Sequence, residues 1–179
     1  MRRMFRRQVR KRLAQEVPPV LQEANFTFDK GEYGRAAELY ERIAQAADAR
    51  GGPRAPILHL QAGRSRIYAG QTALGMPSLK RGLELFAQRG QLHKLQNAGS
   101  RVVSELKQRG LTKEAAEIET LLQEIAPSMP VVETTPGKRP ILPTHCPSCG
   151  APLRPDDVDW LDEVTAECVY CGSPVREEE

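Results

Sequence analysis

Apolar residues recur at helical spacing along most of the 179-residue chain, in segments punctuated by glycine. The clearest pair of segments flanks Gly110. Leu92, Leu95, Val102, Val103 and Leu106 precede it, and Ala115, Ile118, Leu121, Leu122 and Ile125 follow it, each set on one face of a helix. Gly31 and Gly70 have similar surroundings, so the three glycines lie 39 and 40 residues apart, and each is followed five residues later by a small residue, Ala36, Gly75 or Ala115. That period predicts about three stacked helical hairpins over residues 18–126. Gly51-Gly52-Pro53, followed by Pro56, marks a longer turn, and Gly75-Met76-Pro77 is expected to interrupt or delay the second helix of the middle hairpin.

The two ends follow different patterns. Met1, Phe5, Val9, Leu13 and Val17 recur every four residues with Arg2, Arg3, Arg6, Arg7, Arg10 and Lys11 mainly opposite them, which predicts a basic amphipathic helix over residues 1–17, stopped by Pro18-Pro19. Five prolines in residues 127–143 forbid a regular helix and predict a semi-extended linker. Its apolar residues Val131, Val132, Ile141 and Leu142 favour partial docking on the helical body. In residues 144–179, Val158-Asp159-Trp160 and Val164-Thr165-Ala166 alternate around Asp162-Glu163, the pattern of a β-hairpin, with Leu153, Trp160 and Val164 as its expected core. The expected fold class is therefore mainly α, an array of helical hairpins followed by a small β module.

All four cysteines fall in that last segment, as Cys146-Pro147-Ser148-Cys149-Gly150 and Cys168-Val169-Tyr170-Cys171-Gly172 with 18 residues between the pairs. C-x2-C-x18-C-x2-C is a metal-ligand spacing, in which each pair occupies two corners of a tetrahedron. Residues 144–179 are too few to fold on an apolar core alone, whereas structural zinc contributes on the order of 10–16 kcal/mol in small peptides. One structural Zn2+ on Cys146, Cys149, Cys168 and Cys171 is the expectation. Gly150 and Gly172 would let backbone amides turn toward the sulfurs. Four thiolate ligands leave no position for an activated water, so no hydrolytic role and no catalytic residue is expected. His145, beside Cys146, would be a spare ligand, and His59 and His93 are isolated and read as surface or satisfied core.

Gly31-Glu32-Tyr33-Gly34-Arg35-Ala36, with Tyr40 after it and Ala24 before it, resembles the tetratricopeptide signature of glycine, aromatic, small residue and second aromatic. Thr72 and Thr112 replace the turn aromatic in the later units, and the period exceeds the usual ~34 residues, an excess that longer turns would absorb. The resemblance implies a protein-binding scaffold. Asn25, Arg64, Arg66, Asn97 and Arg101, on the first helices of the hairpins, would then make a polar, basic face able to hold an acidic segment. Over residues 145–176 the CPxCG and CxYCG knuckles resemble the zinc-ribbon family, whose members bind nucleic acid, bind proteins or staple a domain. The knuckles alone also resemble rubredoxin, whose aromatic-rich core is missing, which argues against electron transfer.

Charge narrows these readings. The net +3 combines +7 over residues 1–12 with −7 over residues 144–179. An acidic ribbon repels phosphate, which counts against nucleic-acid binding through it. The basic start is a candidate for an anionic membrane surface or RNA through residues 2–12, the alternative to the leading reading. The opposite charges would also let the acidic ribbon fold back on the N-terminal helix or on the helical face and mask it. No stretch is apolar enough to span a membrane and none follows the N-terminal charges, so a cytoplasmic protein is expected, peripheral at the inner membrane face if the first helix binds lipid. The leading expectation is a non-enzymatic protein–protein interaction adaptor with a structural zinc ribbon and no small-molecule substrate.

Overall fold

A computed structural model of the protein describes residues 17–126, 141–154, 158–161 and 164–176. The expected N-terminal amphipathic helix and most of the proline-rich linker lie outside the described residues. Six α-helices follow one another: α1 (Pro19–Asp29), α2 (Tyr33–Ala49), α3 (Ala55–Tyr68), α4 (Thr72–Gln88), α5 (Leu92–Gln108) and α6 (Thr112–Ile125). A small antiparallel sheet comes after them, made of β1 (Asp159–Trp160), β2 (Thr165–Glu167) and β3 (Pro174–Arg176) in the order β1-β2-β3. The protein is mainly α with a small β module, as the pattern predicts.

One device ends each of the first five helices. Gly31, Gly51, Gly70, Gly90 and Gly110 all have positive φ, between 64° and 81°. At each, the residue after the glycine donates its N–H to the carbonyl five residues back, as in Glu32 to Thr27, Gln71 to Arg66 and Leu111 to Leu106. This left-handed cap satisfies carbonyls that the helix end would strand, and glycine adopts it without a Cβ clash. The glycines mark a step of about 20 residues, half the period visible in the sequence, because Gly51 and Gly90 close the turns between hairpins as Gly31, Gly70 and Gly110 close those within them. The long period resides mostly in the helices, since α2, α4 and α5 have 17 residues each. Only the Gly51-Gly52-Pro53 connection is longer than its counterparts.

The middle hairpin departs from expectation. Gly75-Met76-Pro77 neither interrupts nor delays α4, which runs unbroken from Thr72 with Pro77 inside it. Pro77 and Ala73, four residues before it, are both exposed, so water can take the place of the missing proline N–H. Gly75 has a different task. A Cβ there would lie 2.8 Å from the Gly63 carbonyl oxygen, and one on Gly63 would lie 2.6 Å from Leu79 Cγ, so α3 and α4 cross backbone against backbone. Ala36 and Ala115, the equivalent small residues, are fully buried.

Two apolar cores result, and α3 divides them. Leu60 and Ile67 face Leu79, Leu83, Phe86, Leu95, Leu106 and Ile118 in one. Leu58 and Ala62 face the other, which joins Leu21, Ala24, Phe28 and Tyr40 of the first hairpin to Cys146, Leu153, Val158, Ala166 and Val175 of the β module. A helix buried on both sides has no polar stripe, and ten of the residues of α3 are buried. Of the linker residues expected to dock, Leu142 is buried in this shared core, Ile141 is 79 % exposed, and Val131 and Val132 lie outside the described residues. Val164 also departs from its expected place. It is 51 % exposed before β2 begins, and Val158, Ala166 and Val175 join Leu153 and the half-buried Trp160 in its stead.

Candidate metal centre and the groove that holds it

Two loops of matching design carry the cysteines. In the first, the Cys146 N–H donates to Ala151 O at 2.8 Å and the Gly150 N–H to Cys146 O at 2.8 Å. In the second, the Cys168 N–H donates to Ser173 O at 2.9 Å and the Gly172 N–H to Cys168 O at 2.8 Å. The glycine amides thus close the loops on carbonyls, and the Tyr170 N–H reaches a sulfur, 3.4 Å from Cys168 Sγ. The hairpin supplies the spacing between loops: β1 pairs with β2 as Asp159↔Glu167 and Trp160↔Ala166, and β3, directly after the second loop, pairs back with Ala166↔Val175.

Cys146, Cys149, Cys168 and Cys171 meet with all four sulfurs within 4.8 Å of one another. Cys146 Sγ and Cys171 Sγ are 3.8 Å apart, as are Cys149 Sγ and Cys168 Sγ, and no disulfide joins any of them. Four thiolates around one ion at a metal–sulfur distance of about 2.3 Å would stand about 3.8 Å apart. The cysteines are at most 2 % exposed. Hydrogen bonds from Cys149, Cys168 and Cys171 hold the Cys146 thiol below its usual range, while hydrogen bonds with Cys146, Cys149 and Cys171, and then burial, push the Cys168 thiol above it. Four sulfurs so close and so dry cannot all ionise unless a cation neutralises them. Donor type, spacing and burial therefore fit a metal ion held by these four residues, with no other ligand required. His145 is exposed and its Nε2 lies 3.7 Å from Asp29 Oδ2, so it faces α1 instead of the sulfurs.

The module sits against the first helices of the hairpins, α1, α3 and α5. Asn25 Nδ2 on α1 donates to Cys149 O at 2.9 Å, and Gln61 Nε2 on α3 donates to Val169 O at 2.9 Å. Phe28 and Tyr170 stack edge to face, 6.2 Å between centroids. Along α5, Lys94 pairs with Glu167, Asn97 Nδ2 donates to Asp159 Oδ1 at 3.1 Å, and Arg101 holds both Asp159 oxygens at 2.9 and 3.0 Å. Between these contacts a cavity of about 60 Å³ remains, lined by Gln61, Arg64, Phe86 and Val102 among others.

Five residues were predicted to form a face for an acidic segment, and the structure sorts them. Asn25, Asn97 and Arg101 do hold one, and it is the chain's own β module, so the folding back anticipated from charge occurs on the helical face. Arg64 points to α5, where its Nε is 2.8 Å from Glu105 Oε2. Burial works against the Arg64 charge, yet Glu105, Tyr170 and Tyr68 together hold its pKa above the usual value. Arg66 turns away from the groove and grips both oxygens of Glu41 on α2, at 2.7 and 2.6 Å. His59 is buried, with Nε2 3.3 Å from Asp48 Oδ2, and His93 contacts Asn97 at the surface. No sequence motif singles out Gln61, Lys94 or the Tyr40 hydroxyl as a contact to the module. A glutamine inside Leu58-His59-Leu60-Gln61-Ala62, among side chains that must all be buried, was the available signal for the first.

Fold and site together define a mainly helical protein that carries a small antiparallel sheet built around four clustered cysteines. No helix among the described residues is long and apolar enough to cross a membrane. No family model, curated protein or solved structure matches the chain.

Proposed function

We propose that the protein is a non-enzymatic adaptor for protein–protein contact, a tetratricopeptide-like scaffold whose acidic zinc ribbon is stapled by Cys146, Cys149, Cys168 and Cys171. The observation that carries this reading is that the first-helix face already receives a protein segment, through Asn25, Gln61, Lys94, Asn97 and Arg101. Zinc is the ion of choice because four buried cysteine sulfurs in two C-x2-C loops close its coordination without any open position. When bound, it would supply charge neutralisation and folding energy and no chemistry on a substrate. Leu161 and Val164, 55 % and 51 % exposed between β1 and β2, offer a partner an apolar contact.

Metal analysis of the purified protein tests the zinc reading: one zinc per chain and no thiolate-to-iron absorption are expected. A reversible one-electron iron centre would overturn it in favour of electron transfer. The adaptor reading expects partners retained by the intact protein to be lost from a Leu161→Ser, Val164→Ser variant or from Cys146→Ser, Cys149→Ser. Retention of no partner by the intact protein, or of the same set by all three, would count against it.

A further inference from the structure

Two fully buried side chains of the helical body each hold one cysteine loop by its backbone. Asn25, 0 % exposed, reaches the carbonyl of Cys149 in the first loop, and Gln61, 2 % exposed, reaches that of Val169 in the second. Neither has a free choice of orientation. Tyr40 Oη donates to Asn25 Oδ1 at 2.6 Å, and burial, then Tyr170 and Cys149, keeps that hydroxyl protonated well above its usual range, so Asn25 can present only its NH2 to the loop. Gln61 Oε1 lies 3.5 Å from Nη1 of Arg64, itself fastened to Glu105, a long contact that leaves the Gln61 NH2 to face Val169. Buried amides without acceptors are costly, so the helices keep this packing only while the loops keep their shape. The loops in turn are too short to hold a shape unless the four buried sulfurs share a cation.

We propose that Asn25 and Gln61 are positioning residues of the metal centre, which makes metal binding and closure of the groove along α1, α3 and α5 a single event. This inference rests on the zinc reading above. Loss of the ion frees both loops, leaves both amides without acceptors and opens the groove. By linkage, the helices raise zinc affinity by the same factor by which zinc stabilises the helices.

The test uses the full chain, zinc and a competing chromophoric chelator. Asn25→Ala and Gln61→Ala should each weaken zinc retention by about 10- to 100-fold. Ile118→Ala, which opens a void in the other core and destabilises without touching the loops, should leave retention within about twofold. In the unmutated protein, chelation should lower the midpoint of helix melting by circular dichroism and speed amide exchange in α1 and α3. Folded Asn25→Ala and Gln61→Ala variants that keep zinc as the unmutated protein does would overturn the proposal. If those variants fail to fold, the chelation arm decides alone, because helix melting unchanged by zinc loss also overturns it. A protein that takes up no zinc overturns the zinc reading as well, a result distinct from either of these.

Discussion

Gly63 and Gly75 set the distance between α3 and α4, since each lacks the Cβ that would strike the other helix's backbone. Gly75→Ala must push a carbonyl oxygen away from 2.8 Å and is expected to destabilise by about 1–3 kcal/mol in urea unfolding. Gly34→Ala is the contrast. Nothing lies within 4 Å of its added Cβ and its φ is not positive, so it should stabilise α2 by up to about 1 kcal/mol. The small residue five places after each hairpin glycine was legible in the sequence, as were the four cysteines, because both are constraints on residue type. What each side chain faces was not. Arg64 and Arg66 are two residues apart on α3, and only the placement of α2 and α5 sends one to Glu41 and the other to Glu105. The Tyr40 hydroxyl illustrates the same limit: a tyrosine reads as a packing aromatic, while its oxygen orients Asn25.

Helices and strands differ in how plainly the chain announces them. Long periodic helices ending at glycine were visible, and so was the hairpin between the cysteine pairs. The third strand was not, because Pro174-Val175-Arg176 offers three residues of alternation and starts with a residue that cannot donate to a ladder. As the outer strand it pairs only with β2, a place where proline at the first position is tolerated. Proline misled in the opposite direction at α4, where burial of Gly75, Met76 and Leu79 outweighs the local penalty of Pro77. Pro77→Ala supplies the missing N–H, and a rise in unfolding free energy of up to about 3 kcal/mol is expected with the helical content unchanged. Arg101 joins α5 to β1. Arg101→Ala leaves the part-buried Asp159 carboxylate with only Asn97 among the contacts described and should speed amide exchange in β1 and β2 by roughly 10-fold or more.

At the scale of the whole molecule, two groups of the helical body, His59 and Asp48, should each make stability fall with acid. Burial keeps His59 below its usual 6.5 despite the opposing pull of Asp48, and hydrogen bonds from Arg81 keep Asp48 below its usual 3.8. His59 is therefore neutral in the fold at pH values where the unfolded chain binds a proton, so stability falls as pH drops through and below about 6.5. The Asp48 contribution is present above about 3.8 and is lost as pH falls through its lower folded value. Chemical denaturation across this range should show the first decline much reduced in His59→Gln and the second retained; an unchanged first decline would assign it elsewhere. The sequence by itself determined the helical class, the turn glycines, the paired spacing of the four cysteines and the opposite charges of helical face and module, because these follow from residue type and spacing. Only the tertiary structure decided that the basic face is filled by the chain's own acidic module, that Asn25 and Gln61 clasp its loops, and that α3 separates two cores. The first two outcomes depend on contacts between residues 58 to 124 apart in sequence, as in Arg101 with Asp159 and Asn25 with the Cys149 carbonyl, whose meeting no local period encodes.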